Sequence, residues 1–142
     1  MKIKFILIIV VFPYLFSSCN LKEGGVRTRN NMEKYALEYI NKNQLLEEGE
    51  KISAYYDYTI SLVGTESVLL TNSRLIYHNK NTQTTSIDIN DIFDIQNRTE
   101  PFIGDIIEVT SKNGDIMMIE IAPLNQGKTF LKVLKSKVNK KI

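Results

Sequence analysis

The stretch SVLLTNSRLIYHNK, Ser67 to Lys80, sets the tightest limit on how this chain can fold. Two apolar runs flank a small polar knot, Thr71-Asn72-Ser73-Arg74. With Asn72 and Ser73 as the central residues of a hairpin, Leu70 faces Leu75, Leu69 faces Ile76 and Val68 faces Tyr77. Val68, Leu70, Leu75 and Tyr77 then share one face, as cross-strand pairing requires. Asn tolerates the positive φ of tight hairpin turns, although Asn-Ser is a weaker turn pair than Asn-Gly. A nucleophilic Ser73 would need a base, and His78 lies along the next strand on the Leu69 side. The knot reads as a turn.

Around this hairpin the pattern is mostly β. The segment NNMEKYALEYINKNQLLEEGE predicts a helix with Asn30 as its cap and Glu33 reaching back to it. Its apolar stripe is Met32, Ala36, Tyr39 and Ile40, with Gly49 beyond its end. From Lys51 to Val63 the period becomes two, with Ile52, Ala54, Tyr56, Tyr58, Ile60 and Leu62 on one face of a half-buried strand. TTSIDI and DIFDIQNR read as further strands, with Pro101 in the loop that follows. DIIEVTSK and DIMMIEIA form a second hairpin about Asn113-Gly114. Phe130, Leu134, Val138 and Ile142, with Leu131 beside them, give a C-terminal amphipathic helix. The expected fold class is α+β, mainly β: a small antiparallel barrel of six to seven strands, plugged by the C-terminal helix and preceded by an N-terminal one.

EEGEKI, VLLTNSRLIYH, SIDINDIFDI, DIIEVTSKNGD and FLKVL together resemble the bacterial pleckstrin-homology-like (PH-like) domains over about residues 45 to 137. These share a Gly-Glu opening, a Leu-Thr-Asn-x-Arg-Leu-Ile-Tyr hairpin and an Ile-x-x-Ile step near mid-domain. The resemblance implies a PH-like fold acting as a binding module.

The N-terminus carries a different signal. MKIKFILIIVVFPYLFSSC has Lys2 and Lys4, an apolar run from Phe5 to Phe16, then small residues before Cys19. That is the anatomy of a secretory signal peptide, with an apolar run too short to cross a bilayer. Phe16-Ser17-Ser18-Cys19 resembles the lipobox of bacterial lipoproteins, with Phe16 in place of the usual Leu. The resemblance implies cleavage before Cys19 and acylation there, a palmitate-type anchor in the cell envelope, in the outer membrane if the cell is Gram-negative. Cys19 is the only cysteine, so no internal disulfide can form. Residues 1–18 are expected as the signal peptide, 19–30 as a lipidated tether and 31–142 as the PH-like domain with its N-terminal helix. As a flexible coil, a ten-residue tether reaches roughly 17 Å. Lys2 and Lys4 are the only charges of the signal segment, so the formal +2 of the chain belongs to it. A nominally neutral domain does not suit a nucleic-acid partner.

Little else suggests chemistry. Asp88, Asp91 and Asp94 lack the alternate-position oxygens and the Gly of a calcium loop, and read as turn and cap residues. His78, the only histidine, has no partner for a zinc site and reads as a strand residue near the surface. Asn97-Arg98-Thr99 matches a glycosylation sequon but carries no weight beside a lipobox. No phosphate loop, serine elbow or nucleophile–base pair occurs, so the expectation is no enzyme, no metal and no cofactor. The expected partners are the membrane, through acylated Cys19, and a protein. Phe102 and Ile103, apolar within the EPFIGD loop, are either a contact patch or a flap folded over the barrel. Lys80, in the HNKNTQT loop, and Lys128, Lys132 and Lys135, with Lys137, Lys140 and Lys141 on the same helix, are the candidates for a lipid- or glycan-headgroup reader.

Overall fold

The computed structural model describes residues 24–139. Cys19, the signal segment, Lys140, Lys141 and Ile142 lie outside them. In chain order come β1 (Arg27–Thr28), α1 (Lys34–Lys42), β2 (Ala54–Asp57), β3 (Glu66–Leu70), β4 (Arg74–Asn79), β5 (Thr84–Asp88), β6 (Ile92–Glu100), β7 (Gly104–Ser111), β8 (Ile116–Ile121) and α2 (Gly127–Asn139). Short 3-10 turns at Arg29–Asn31 and Ile89–Asp91 follow β1 and β5.

The strands form two antiparallel sheets, ordered β1-β2-β3-β4-β5 and β6-β7-β8. The hairpin has the predicted register, with Leu70 opposite Leu75, Leu69 opposite Ile76 and Val68 opposite Tyr77. The second hairpin turns at Gly114, whose φ of +91° suits a residue without Cβ. The chain passes from one sheet to the other through the Ile89–Asp91 turn. Among the described residues no strand pairing closes the sheets into a barrel. Thr85–Ile87 at one free edge and Asp115–Met117 at the other instead flank an open cavity of about 430 Å³.

Two apolar clusters account for the layering. One lies between the sheets and α2 and contains Val68, Leu70, Leu75, Ile107, Ile119, Phe130 and Leu134, all withdrawn from solvent. The other lies between α1 and the outer face of the five-stranded sheet, joining Ala36 and Ile40 to Tyr55, Leu69 and Ile76. Each such aliphatic side chain contributes roughly 1.5–3 kcal/mol on burial. The five-stranded sheet is therefore covered on both faces at its centre. This corrects the half-buried strand predicted over Lys51–Val63: β2 is only four residues long and all four are buried. Asp57 ends it, accepting bonds from the Thr59 amide at 2.8 Å, the Thr59 hydroxyl at 2.5 Å and the Gly64 amide at 2.8 Å, which bends the chain into a turn.

α1 is also shorter than predicted. Asn30 does not cap it, and Glu33 at the cap position is drawn to Arg27 at 2.8 Å instead. The helix stops at Lys42 because Gln44 takes a left-handed φ of 51°. The Leu45 amide then donates to the Ile40 carbonyl and the Gln44 amide to that of Asn41, a Schellman ending. At the N-terminus, residues 24–30 of the expected tether segment join the fold. Arg27 and Thr28 pair with Tyr55 and Ala54, and Val26 is buried.

Candidate functional site

The polar knot of the hairpin is a structural lock. Thr71 accepts from the amides of Ser73 at 3.1 Å and Arg74 at 2.8 Å through its hydroxyl, shaping the turn. Ser73 and Thr71 donate their hydroxyls to Glu50 Oε1 at 2.7 and 2.8 Å, and Arg74 adds two further bonds. Burial alone would raise the pKa of Glu50, whose side chain is 4% exposed. The donors from Arg74, the Glu47 amide, Ser73 and Thr71 outweigh that and hold it down at about 2. Asn72 clamps Lys51, accepting its amide hydrogen at 2.7 Å and donating its own amide to the Lys51 carbonyl at 3.1 Å. The Gly-Glu opening and the Thr-Asn-Ser-Arg turn are thus two halves of one network.

His78 lies buried beneath α1, which corrects its expected place near the surface. The hairpin register turns it to the α1 side, where Nε2 meets the Tyr39 hydroxyl at 3.1 Å and Nδ1 the Thr84 hydroxyl at 2.8 Å. Burial lowers its pKa, favouring the neutral ring. With both nitrogens engaged, it has no lone pair free for a substrate. Asp88 and Asp91 line a small polar cavity with Asp115, Ser111 and Asn113, while Asp94 accepts from Gln96. Among the described residues, no group of three His, Cys, Asp or Glu side chains is placed to hold a metal ion.

The most distinctive surface is apolar. Phe102 is 96% exposed and Ile103 beside it 44%, so these two project from the β6–β7 turn and are not a flap over the core. That turn is held close to the β8–α2 connection. Gly104 has a φ of +103°, and a Cβ there would fall 2.1 Å from the Ile121 carbonyl oxygen. A Cβ on Gly127 would likewise meet Asp105 at 2.5 Å. The β8–α2 connection presents Leu124, 99% exposed at a φ of +69°. A bulky residue in the left-handed region is a conformational outlier, and strain of this kind concentrates at working sites. Its neighbour Asn125 is pinned by the Tyr56 hydroxyl at 3.2 Å and by the Val26 amide at 3.0 Å. Phe102, Ile103 and Leu124 therefore stand on two loops whose bases are in contact. A Cβ on Gly25, near where the described chain begins, would lie 3.6 Å from the Asn125 carbonyl oxygen, so the chain enters the fold beside this loop.

The lysines divide. Lys128, Lys132 and Lys135 lie on the exposed side of α2, and Lys80 sits in the β4–β5 turn. None of the four forms an ion pair among the described residues. Leu124 escaped the sequence because PLNQG reads as an ordinary turn, and only the fold brings the base of its loop against the turn that carries Phe102.

No family model and no curated protein matches the chain. Among solved structures, it is similar to a DUF1696-family protein with a pleckstrin-homology domain from Shewanella loihica PV-4, at 14% identity and a TM-score of 0.55. The match covers 72% of this chain and 96% of that one. The likeness is one of fold: two sheets flanked by N- and C-terminal helices, resembling a PH-like domain.

Proposed function

We propose that this protein is a membrane-anchored lipoprotein of the cell envelope whose PH-like domain is a non-catalytic module that binds and tethers a protein partner. The apolar tips Phe102, Ile103 and Leu124 carry the proposal: large hydrophobic side chains held in water on neighbouring loops mark a contact surface. Anchoring is supported by the sequence before Cys19. Even at full extension, the five residues from Cys19 to Gly24 could span no more than roughly 17 Å, so an acylated Cys19 would keep the domain near the membrane surface. The engaged nitrogens of His78 and the saturated Glu50 leave the tips with no chemistry to serve, so recruitment is the simplest use of the surface.

The unpaired lysines favour a second reading, in which Lys80, Lys128, Lys132 and Lys135 meet anionic lipid or glycan headgroups. One experiment separates the two. Photo-crosslinkers placed at Phe102 and Leu124 in membrane-bound protein should trap a discrete protein band, whereas exclusive crosslinking to lipid would overturn the protein-binding proposal. Separately, Cys19→Ala should release the protein from membranes and abolish fatty-acid labelling. Retained labelling would overturn the anchor.

A further inference from the structure

Arg29, Lys51 and Lys137 come from three separate places: the 3-10 turn after β1, the approach to β2 and the last turn of α2. They line one open cavity of about 360 Å³, within the range of roughly 300–1,000 Å³ usual for small-molecule sites. Among the described residues no Asp or Glu lines it. Among the described residues none of the three cations forms an ion pair. The acids nearest in sequence are committed elsewhere: Glu33 to Arg27, and Glu50 to Arg74, Ser73 and Thr71. Three like charges around one cavity repel each other and focus a positive potential into it. The negative end of α2 accounts for Lys137, but not for Arg29 or Lys51, which lie on other elements.

The rest of the polar lining is neutral: Thr28 and Ser53 carry hydroxyls, and Asn30 and Asn72 side-chain amides, all able to donate. Because Asn72 Oδ1 accepts the Lys51 amide hydrogen, the orientation of that amide is fixed and its nitrogen is left to donate. Two bonds to the Lys51 backbone, one from the Asn72 amide and one to its side-chain oxygen, hold this side of the cavity in place. Ile52 and Val133 add an apolar wall.

We infer that this cavity binds the phosphate group of an anionic ligand, either a phospholipid headgroup or a small soluble phosphate ester. Arg29, Lys51 and Lys137 supply the charge, and Asn72, Thr28 and Ser53 supply neutral donors. The site stands apart from the apolar tips and needs no acylation of Cys19.

The test uses the full chain in a non-ionic detergent, titrated with inorganic phosphate and with glycerol phosphate against chloride at matched ionic strength. The readout is amide NMR shifts at Ser53 and Asn72. Saturable shifts are expected, and Arg29→Gln/Lys51→Gln/Lys137→Gln should weaken binding at least about tenfold, from the loss of charge-assisted bonds. Lys128→Gln/Lys132→Gln/Lys135→Gln should leave it unchanged. A second arm floats the chain with phosphatidylglycerol and phosphatidylcholine vesicles. Groove-dependent flotation on the anionic set, competed by inorganic phosphate, assigns the ligand to a headgroup. Groove-dependent binding of the soluble probes alone assigns it to a small phosphate ester. If the groove triple lowers the melting temperature, Lys51→Gln replaces it, with a loss of several-fold expected. No saturable binding of any probe, or equal losses in the two triple variants, overturns the inference.

Discussion

Arg74 meets Glu50, 24 residues earlier in the chain, through a two-pronged contact: Nε donates to Oε1 at 3.0 Å and Nη2 to Oε2 at 2.6 Å. The pair ties the start of the first sheet to the tip of its central hairpin. Glu50→Ala should lower unfolding stability by about 3–5 kcal/mol, because it strands the Arg74 guanidinium and two hydroxyls with only the exposed Glu47 at 3.0 Å in support. Urea melts of the two proteins at neutral pH give the difference.

The same carboxylate makes stability depend on acid. Its pKa falls from 4.5 unfolded to about 2 folded, so its contribution is complete above 4.5 and disappears as pH drops towards 2. The amount at stake is on the order of 3 kcal/mol. Denaturation followed between pH 5 and pH 2 should show this slope in the native chain, and a shallower one in Glu50→Gln.

His78 adds a second, milder pH dependence. Its folded pKa lies below the ordinary 6.5, so the unfolded chain takes up the proton first as pH falls. Stability contributed by the neutral ring is full above 6.5 and declines below it. His78→Gln should flatten the profile between pH 7 and pH 5, read from melting temperatures in parallel buffers.

Gly104 is a point where backbone alone decides. Alanine there meets the Ile121 carbonyl and needs a left-handed φ, so Gly104→Ala should destabilise by at least about 1 kcal/mol from strain, before any displacement of the β8–α2 connection. Thermal melts test the cost. Crosslinking from Leu124 should fall with it if the two loops act as one surface.

The tips themselves should be dispensable for folding. Phe102→Ser with Leu124→Ser removes side chains that are 96% and 99% exposed, and should shift stability by no more than about 0.5 kcal/mol while abolishing partner crosslinking. A large loss of stability would show that the tips pack on something within the domain.

The hairpin register was legible in the sequence because the polar knot Thr71-Asn72-Ser73-Arg74 sits between two apolar runs and fixes the pairing across it. The two amphipathic helices were legible from their apolar residues recurring every three or four positions. The failures share a cause, since non-local contacts decide each of them. Tyr55 reads as solvent-facing until α1 is laid across the sheet. Asn30 reads as a cap until Arg27 claims Glu33. His78 reads as peripheral until Tyr39 covers it. Barrel closure is a property of two distant edges, β5 and β8, about which neither strand's own sequence carries information. At the candidate surface, Phe102 and Ile103 stood out as apolar residues in a loop, but their exposure depended on how Gly104 docks.

The way the chain enters the fold also has a mechanical side. Any force that reaches the domain through its N-terminal segment arrives at Gly24 and is borne first by the Val26–Asn125 hydrogen bond and the two residue pairs of β1 with β2. Peeling β1 away would also draw Val26 out of the apolar layer under α2 and break the Arg27–Glu33 pair, but it involves no member of the network around Glu50. β1 would thus behave as a fuse that frees several N-terminal residues and separates Asn125 from Val26, while the pairing of β2 to β5 needs none of these bonds. Tension on the N-terminal segment would in that way be felt at the loop that carries Leu124.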